Sequence, residues 1–507
     1  MEKVLSFLWP IKKEELGKFI PLSLILFFTI FNYTTLKAMK DSLVVPHIGA
    51  EAISFIKFYF VVPSAIFVVI LYINLANRFR FNQIYYGMGI FYVMYFLVFA
   101  FILYPYRDLI HPDAATIDVL ITKEVSFASF TIKMIYFKWF FLLYGKWLYV
   151  VFYVLAELWS STMTFLLFWQ FSNRIIHTNQ AKRFYPMINL LGSFGNFVSG
   201  TVIKYLTTLQ SILSAEMKML FTVQGLLSCI SFSAIAVLII FRYLNNKVIR
   251  DSMVAEKSYK KEATQLAKKT PFTESVKVIF SSKYLGYIVV LVLSYGIAIN
   301  LLEGPWKAKI KELYPDMNSY LYFMGHINQW NGALAIVLSL IGASLMKRYS
   351  WFTAAIITPI IIFVTGIGFF SLVVFENAFH VLLSTFFIIN PLFLAVMLGA
   401  MQNVLSKAAK YSLFDSTKEM TYIPIEEELR SKGKAAVDVV GARLAKSGGA
   451  LIQSLLFMIF PAATYTSIAP LLMLVFAIVA IIWIMNVSVL NKAYLKYLAK
   501  AKEREIS

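Results

Sequence analysis

Twelve apolar runs, each long enough to cross a hydrocarbon layer of ~30 Å as one helix, recur along this chain, and no soluble fold accommodates that many. They lie near 19–36, 55–77, 84–106, 147–171, 185–207, 219–241, 284–302, 320–346, 351–375, 380–403, 435–460 and 466–487. In lipid every backbone N–H and C=O needs a partner inside the protein, so runs of this length fold as helices. The expected fold is an all-α integral membrane protein with twelve transmembrane helices. Of the 507 residues, 59% are hydrophobic and only 15% charged. That leaves too little polar surface to cover a soluble core, which excludes a soluble enzyme.

The longest polar interruption, 242–283, follows the sixth run. It divides the chain into an N-terminal six-helix half, 1–241, a charged cytoplasmic linker, 242–283, and a C-terminal six-helix half, 284–507. A weak internal echo supports the division. Asn32, Lys40 and Pro46 mark the exit of span one, and Asn300, Lys307 and Pro315 mark the exit of span seven. Two parallel six-helix halves with a site between them at the membrane midplane make a major-facilitator-like arrangement.

The formal charge of +20 first needs a topological explanation. An even number of spans places both termini on one side. That side carries 32 Lys and Arg, the other carries 11, and four fall within spans. The positive-inside rule therefore makes the termini cytoplasmic, and most of the charge sets orientation rather than attracting nucleic acid. No cleavable signal or organelle leader is expected before span one.

One cysteine, Cys229, and five scattered histidines leave no disulfide and no metal-ligand spacing, so neither metal nor cofactor is expected. Gly441–Ser447 resembles a phosphate-binding loop, but it lacks the second glycine, the correct spacing and a preceding strand. ATP hydrolysis is excluded on that ground, and any transport must be secondary.

Ionisable groups within spans are costly unless they face a partner or a wet cavity. Lys57, three residues into span two, has the alternative of snorkelling to the interface. Glu157, midway along span four, cannot snorkel. Glu303 closes span seven beside Gly304 and Pro305 and is one turn from Lys307, with which a structural ion pair is the simpler reading. Span eleven carries Asp438, Arg443 and Lys446. Asp438 neutralises only one of these cations, and a guanidinium beside an ammonium in a dry cavity suits a phosphate. Amide and indole groups at depth, Trp159 in span four and Asn328 and Asn331 in span eight, suit a nucleobase. So does Asn403, at the end of span ten.

Several ordered stretches resemble a known family: Phe7–Ile11, Asn32–Tyr33, Lys40–Val45, Gly49–Glu51, Ala156–Trp159, Phe168–Asn173, Ala181–Tyr185, Leu302–Lys307, Gln402–Lys407, Lys410–Asp415 and Arg443–Gly449. Together they resemble the ATP/ADP translocases of rickettsiae, chlamydiae and plastids over essentially the whole chain. The resemblance implies an antiporter of the bacterial inner membrane that exchanges external ATP for internal ADP, with no obligate protein partner. A broader nucleotide uptake, with or without proton coupling, is the alternative within the family, and a pore or scaffold is the alternative outside it. The family's charged functional positions match Lys40, Glu157, Glu303 and Lys446. Ala445, where glycine is expected, and Pro305 are departures that leave these charges intact. Lys40 and Lys307 are then expected to flank the outer mouth and draw anions in. Lys446, Arg443, Lys40 and Lys307 are the expected substrate phosphate-binding residues, and Glu157, Glu303 and Asp438 are expected to act as gating or coupling carboxylates, with Glu157 pairing Lys446 or Arg443 in the empty carrier.

Overall fold

The computed structural model describes residues 11–127, 130–176, 178–209, 214–248, 282–348, 350–386, 390–425, 437 and 441–506. It is helical apart from one hairpin. Twelve principal helices follow the apolar runs: α1 Leu16–Val44, α2 Ala52–Arg78, α3 Phe81–Leu103, α4 Trp147–Ile175, α5 Thr178–Thr208, α6 Ala215–Val248, α7 Lys283–Leu313, α8 Met317–Arg348, α9 Trp351–Val374, α10 Pro391–Met420, α11 Ala442–Ile459 and α12 Tyr465–Ile506. Among the described residues nine of them are long and apolar enough to cross a membrane. The glycine- and amide-bearing helices α5 and α8 and the short α11 stand at the other three expected positions.

The boundaries depart from the sequence expectation where charge interrupts the apolar pattern. α1 continues eight residues past 36, and α7 continues through Lys307 to Leu313. Lys40 and Lys307 meet carboxylates inside the protein, so the helices need not end where hydropathy does. Span ten is not 380–403. Glu376–Phe386 forms a separate short helix, and α10 begins at Pro391, where the Asn390 side chain accepts from the Leu392 N–H at 2.8 Å. An asparagine cap followed by proline at the first helical position is a strong start signal. α6 runs on to Val248, and most of the expected linker lies outside the described residues.

The helices pack as a repeat. α1 lies against α4, α5 and α6, and α7 lies in the same way against α10, α11 and α12. α3 packs on α6 as α9 packs on α12. The halves meet along α5 and α8, where Gly200 and Gly325 bring the backbones together. A Cβ at Gly200 meets the Gly325 carbonyl and, at 2.8 Å, the Gln329 nitrogen. Among the described residues the equivalent pair, α2 and α11, touches chiefly through the Ala52–Val61 end of α2. The remainder of α2, Val62–Arg78, packs on α3 and α4 instead. The halves are therefore joined at the membrane face opposite the chain termini, called distal below.

The connection between α3 and α4 covers this distal face. It holds short helices Arg107–Ile110 and Ala114–Thr122, then an antiparallel hairpin of β1 (Glu124–Phe127) and β2 (Phe130–Lys133), with Glu124 opposite Lys133. The apolar helix Met134–Gly145 follows. Its Trp139 ring sits 6.0 Å from that of Phe457 on α11, so the cap touches both halves.

Candidate functional site

Charged side chains of α1 and α7 converge between the two halves. Lys40 and Asp41 lie on the last two turns of α1, and Glu303 and Lys307 lie one turn apart on α7. The Lys40 ammonium is 3.2 Å from Glu157 Oε2 and 3.4 Å from Asp41 Oδ1, and it rests 3.5 Å above the Tyr153 ring. Asp41 Oδ2 reaches Lys307 Nζ at 2.8 Å, and Lys307 reaches Glu303 Oε1 at 2.9 Å. The other Glu303 oxygen takes Lys57 at 2.7 Å, and Lys57 donates to Asn300 Oδ1 at 3.1 Å.

These six groups form one chain of alternating charge: Glu157, Lys40, Asp41, Lys307, Glu303, Lys57. Three ammonium groups meet three carboxylates, so the network is neutral. Neutrality is what permits the burial, because an uncompensated charge at this depth costs several kcal/mol. Lys40 is 2% exposed, Lys307 1% and Asp41 0%. Two of the links, Asp41 to Lys307 and Lys57 to Glu303, cross from one half to the other. A polar layer lies alongside. Gln453 donates to the Asn300 carbonyl at 2.7 Å, Tyr465 Oη donates to Gln453 at 2.7 Å, and the Tyr465 N–H donates to Glu51 on the opposite half at 3.2 Å.

The structure thus brings together four residues singled out in the sequence, Lys40, Glu157, Glu303 and Lys307. It does not place the two lysines at an open mouth, because both are sealed in the network. Glu157 takes Lys40 as its cation. Asp438 lies outside the described residues, as do the side chains of Arg443 and Lys446. The α11 backbone is described, and it presses Ala445 against Gly296 and Gly449 against Asn300, which sets this turn of α11 directly on α7 below Glu303.

Two of the nucleobase candidates are already engaged. Trp159 is fully buried and donates to the Thr29 carbonyl at 3.4 Å. Asn328 donates to the Thr34 carbonyl at 3.2 Å and, more weakly, to Ser199 at 3.5 Å, tying α8 to α1 and α5. Asn331 has both amide atoms buried without a partner among the described residues, and Asn403 has its Oδ1 so placed. Sequence reasoning missed Asp41, which sits beside Lys40 in the quoted Lys40–Val45 stretch but past the expected end of span one. It left Lys57 between two readings, and the structure gives it a carboxylate rather than the interface.

A helical membrane protein built from two packed six-helix halves, with a buried ionic lattice between them, has the major-facilitator fold. Solved structures agree on the fold. The chain superposes on a bacterial homologue of the iron transporter ferroportin in an inward-facing state with a TM-score of 0.59 and 11% identity, covering 96% of this chain and 99% of that one. It superposes on a D-xylose-proton symporter at 0.51 and 13% identity, covering 93% and 96%. Residues 1–494 match the TLC ATP/ADP transporter family, and the chain belongs to it. ADP,ATP carrier protein 1 of Rickettsia typhi is 42% identical over 97% of this chain and 96% of its own length. ADP,ATP carrier protein 3 of Rickettsia prowazekii is 41% identical over 98% of each.

Proposed function

We propose that this protein is an antiporter that takes up ATP in exchange for ADP across the inner membrane of a bacterium, with both termini cytoplasmic and the distal face outermost. The observation that carries this reading is the neutral lattice of Lys40, Asp41, Glu157, Glu303, Lys307 and Lys57 between the halves, in a chain whose relatives are named ADP,ATP carriers. In this reading the lattice closes the outer side. Residues 242–283 serve as the cytoplasmic linker between the halves.

Alternating access needs contacts that hold when the site is empty and yield when substrate competes for the same charges. A nucleoside triphosphate brings about three to four negative charges, enough to draw lysines from their carboxylates in a low-dielectric cavity. Lys446 and Arg443 of α11 are assigned to phosphate. Glu157 and Glu303 act as gating carboxylates, since a carboxylate facing a polyphosphate is repulsive. Asn331 and Asn403, whose buried amides have unfilled positions, are the stronger candidates for reading the base, and Trp159 and Asn328 serve the packing they already make.

Purified protein in liposomes, loaded or not with ADP and given labelled ATP outside, tests the reading. Uptake that depends on internal ADP is the expected result. Uptake indifferent to internal nucleotide, as through a pore, overturns it.

A further inference from the structure

A groove of about 980 Å³ runs chiefly between Val62–Arg78 of α2 and the facing sides of α3 and α4. Phe67, Leu71 and Phe79 of α2 line one wall, and Gly87 and Phe91 of α3 with Val151 of α4 line the other. The gap is plainest at Gly87, where an added Cβ meets nothing within 4 Å. Among the described residues the lining holds no Lys, Arg, His, Asp or Glu. Its amide, Gln83, already accepts from the Arg80 N–H at 3.0 Å, and its Thr162 hydroxyl lies 3.0 Å from that of Tyr92.

The groove is as large as a ligand site, at the upper end of the usual range of about 300–1,000 Å³. A nucleotide does not suit it, because no cation on its walls meets a phosphate. Water does not suit it either, since apolar cavities offer too few polar partners. Phe67 and Phe91 present largely exposed rings along its open side, so in a membrane the matching filler is hydrocarbon. From Phe67 to Phe79 the wall extends about 18 Å at about 1.5 Å per residue, roughly one leaflet of a hydrocarbon core about 30 Å thick.

The end of the groove on the side of the chain termini is basic. Arg78 and Arg80 flank Phe79 and are exposed, and the bond to Gln83 fixes the Arg80 backbone at the rim. No acidic residue occurs between Glu51 and Asp108, so nothing on α2 or α3 offsets these arginines. The distal end differs, because Lys138 and Lys146 there share the cap with Asp108, Asp113, Asp118 and Glu124. Basic rims between transmembrane helices recruit anionic headgroups. We propose that the groove binds an anionic phospholipid from the leaflet on the side of the termini, with its phosphate on Arg78 and Arg80 and its acyl chains between α2 and the faces of α3 and α4. The site is separate from the ionic lattice and does not depend on which nucleotide is carried. Because α2 also carries Lys57 of the lattice, the bound chains act as a shim that sets the angle at which this helix is held.

Phosphatidylglycerol and phosphatidylcholine with the same acyl chains, titrated into the purified full-length protein in detergent, test the site. Bound lipid is read by native mass spectrometry and stability by the thermal midpoint. Phosphatidylglycerol should be retained and should raise the midpoint, and phosphatidylcholine should bind about tenfold more weakly. Arg78→Gln combined with Arg80→Gln should weaken phosphatidylglycerol by about tenfold and abolish the preference. Gly87→Leu fills the slot without touching the charges, so it should lose both lipids yet melt, free of lipid, no lower than wild type. Glycerol phosphate, a headgroup without chains, should not bind measurably. Equal retention of the two lipids by the wild type overturns the site, as does an arginine variant whose affinity stays within twofold of wild type. Glycerol phosphate binding as tightly as the lipid would mean a free-phosphate site and overturns it too. The arginine variant lies on an exposed turn and decides the matter even where Gly87→Leu folds poorly.

Discussion

Asp41 and Lys307, 266 positions apart in sequence and on opposite halves of the molecule, meet at 2.8 Å with both side chains shut off from solvent. Each also holds a second partner of opposite charge, Lys40 for Asp41 and Glu303 for Lys307. The contact between the halves is thus the middle of a lattice, and its strength depends on four neighbours rather than two.

Asp41→Asn keeps the shape and removes the central negative charge. The six-group lattice then carries a net positive charge in a dry place. Losing one partner of a buried pair costs about 3–5 kcal/mol, relieved when water enters from the distal side. A bias of about 3 kcal/mol shifts a two-state equilibrium by roughly two orders of magnitude. Ser54, buried at the distal end of α2, is a suitable reporter as Ser54→Cys in a Cys229→Ala background. Labelling by an impermeant maleimide added on the distal side should accelerate in Asp41→Asn, and an unchanged rate would show that this contact is not a gate.

Exchanging the two charges is a second test of the lattice. In Asp41→Lys with Lys307→Asp the central pair is preserved. However, the new lysine faces Lys40, and the new aspartate faces Glu303. An isolated salt bridge tolerates the exchange, whereas a lattice of alternating charge does not. The double variant should remain as inactive in nucleotide exchange as either single one. Recovery beyond half of wild-type activity would mean that the pair acts alone.

The close approach of α5 and α8 makes a prediction about stability. A methyl group at Gly200 meets backbone atoms of α8, which cannot rotate away as a side chain can. Overpacking of this kind costs typically 1–3 kcal/mol. Gly200→Ala should therefore lower the thermal midpoint measurably. The same change at Gly87, where nothing lies within 4 Å of the added carbon, should leave it near wild type.

Much of this architecture is legible in the sequence because lipid imposes a simple rule on it. The helix positions follow from apolar length, and Glu157 stands out because no side chain at mid-span can reach water. The errors share one physical cause. Lys37, Lys40, Lys407 and Lys410 look like loop residues to any rule that assigns charge to water, which ends span one too early and displaces span ten. Inside the folded protein Lys40 meets Glu157 and Lys410 meets Asp415, so their helices continue. Asp41 is hidden for the same reason, since its partner comes from the other half and no local spacing reveals it. The structured connection between α3 and α4 is also missed, because its short helices and four-residue strands carry no long period.

Glu157 invites a test that separates a gate from a proton carrier. As a gate, it holds Lys40 through charge alone, so Glu157→Gln should abolish exchange and net uptake alike at every pH while ATP still binds. As a proton carrier, the same variant should keep exchange and lose only the uptake driven by a pH gradient. The 3.2 Å contact with a sealed lysine favours the first outcome, and a pH series in both assay modes checks it.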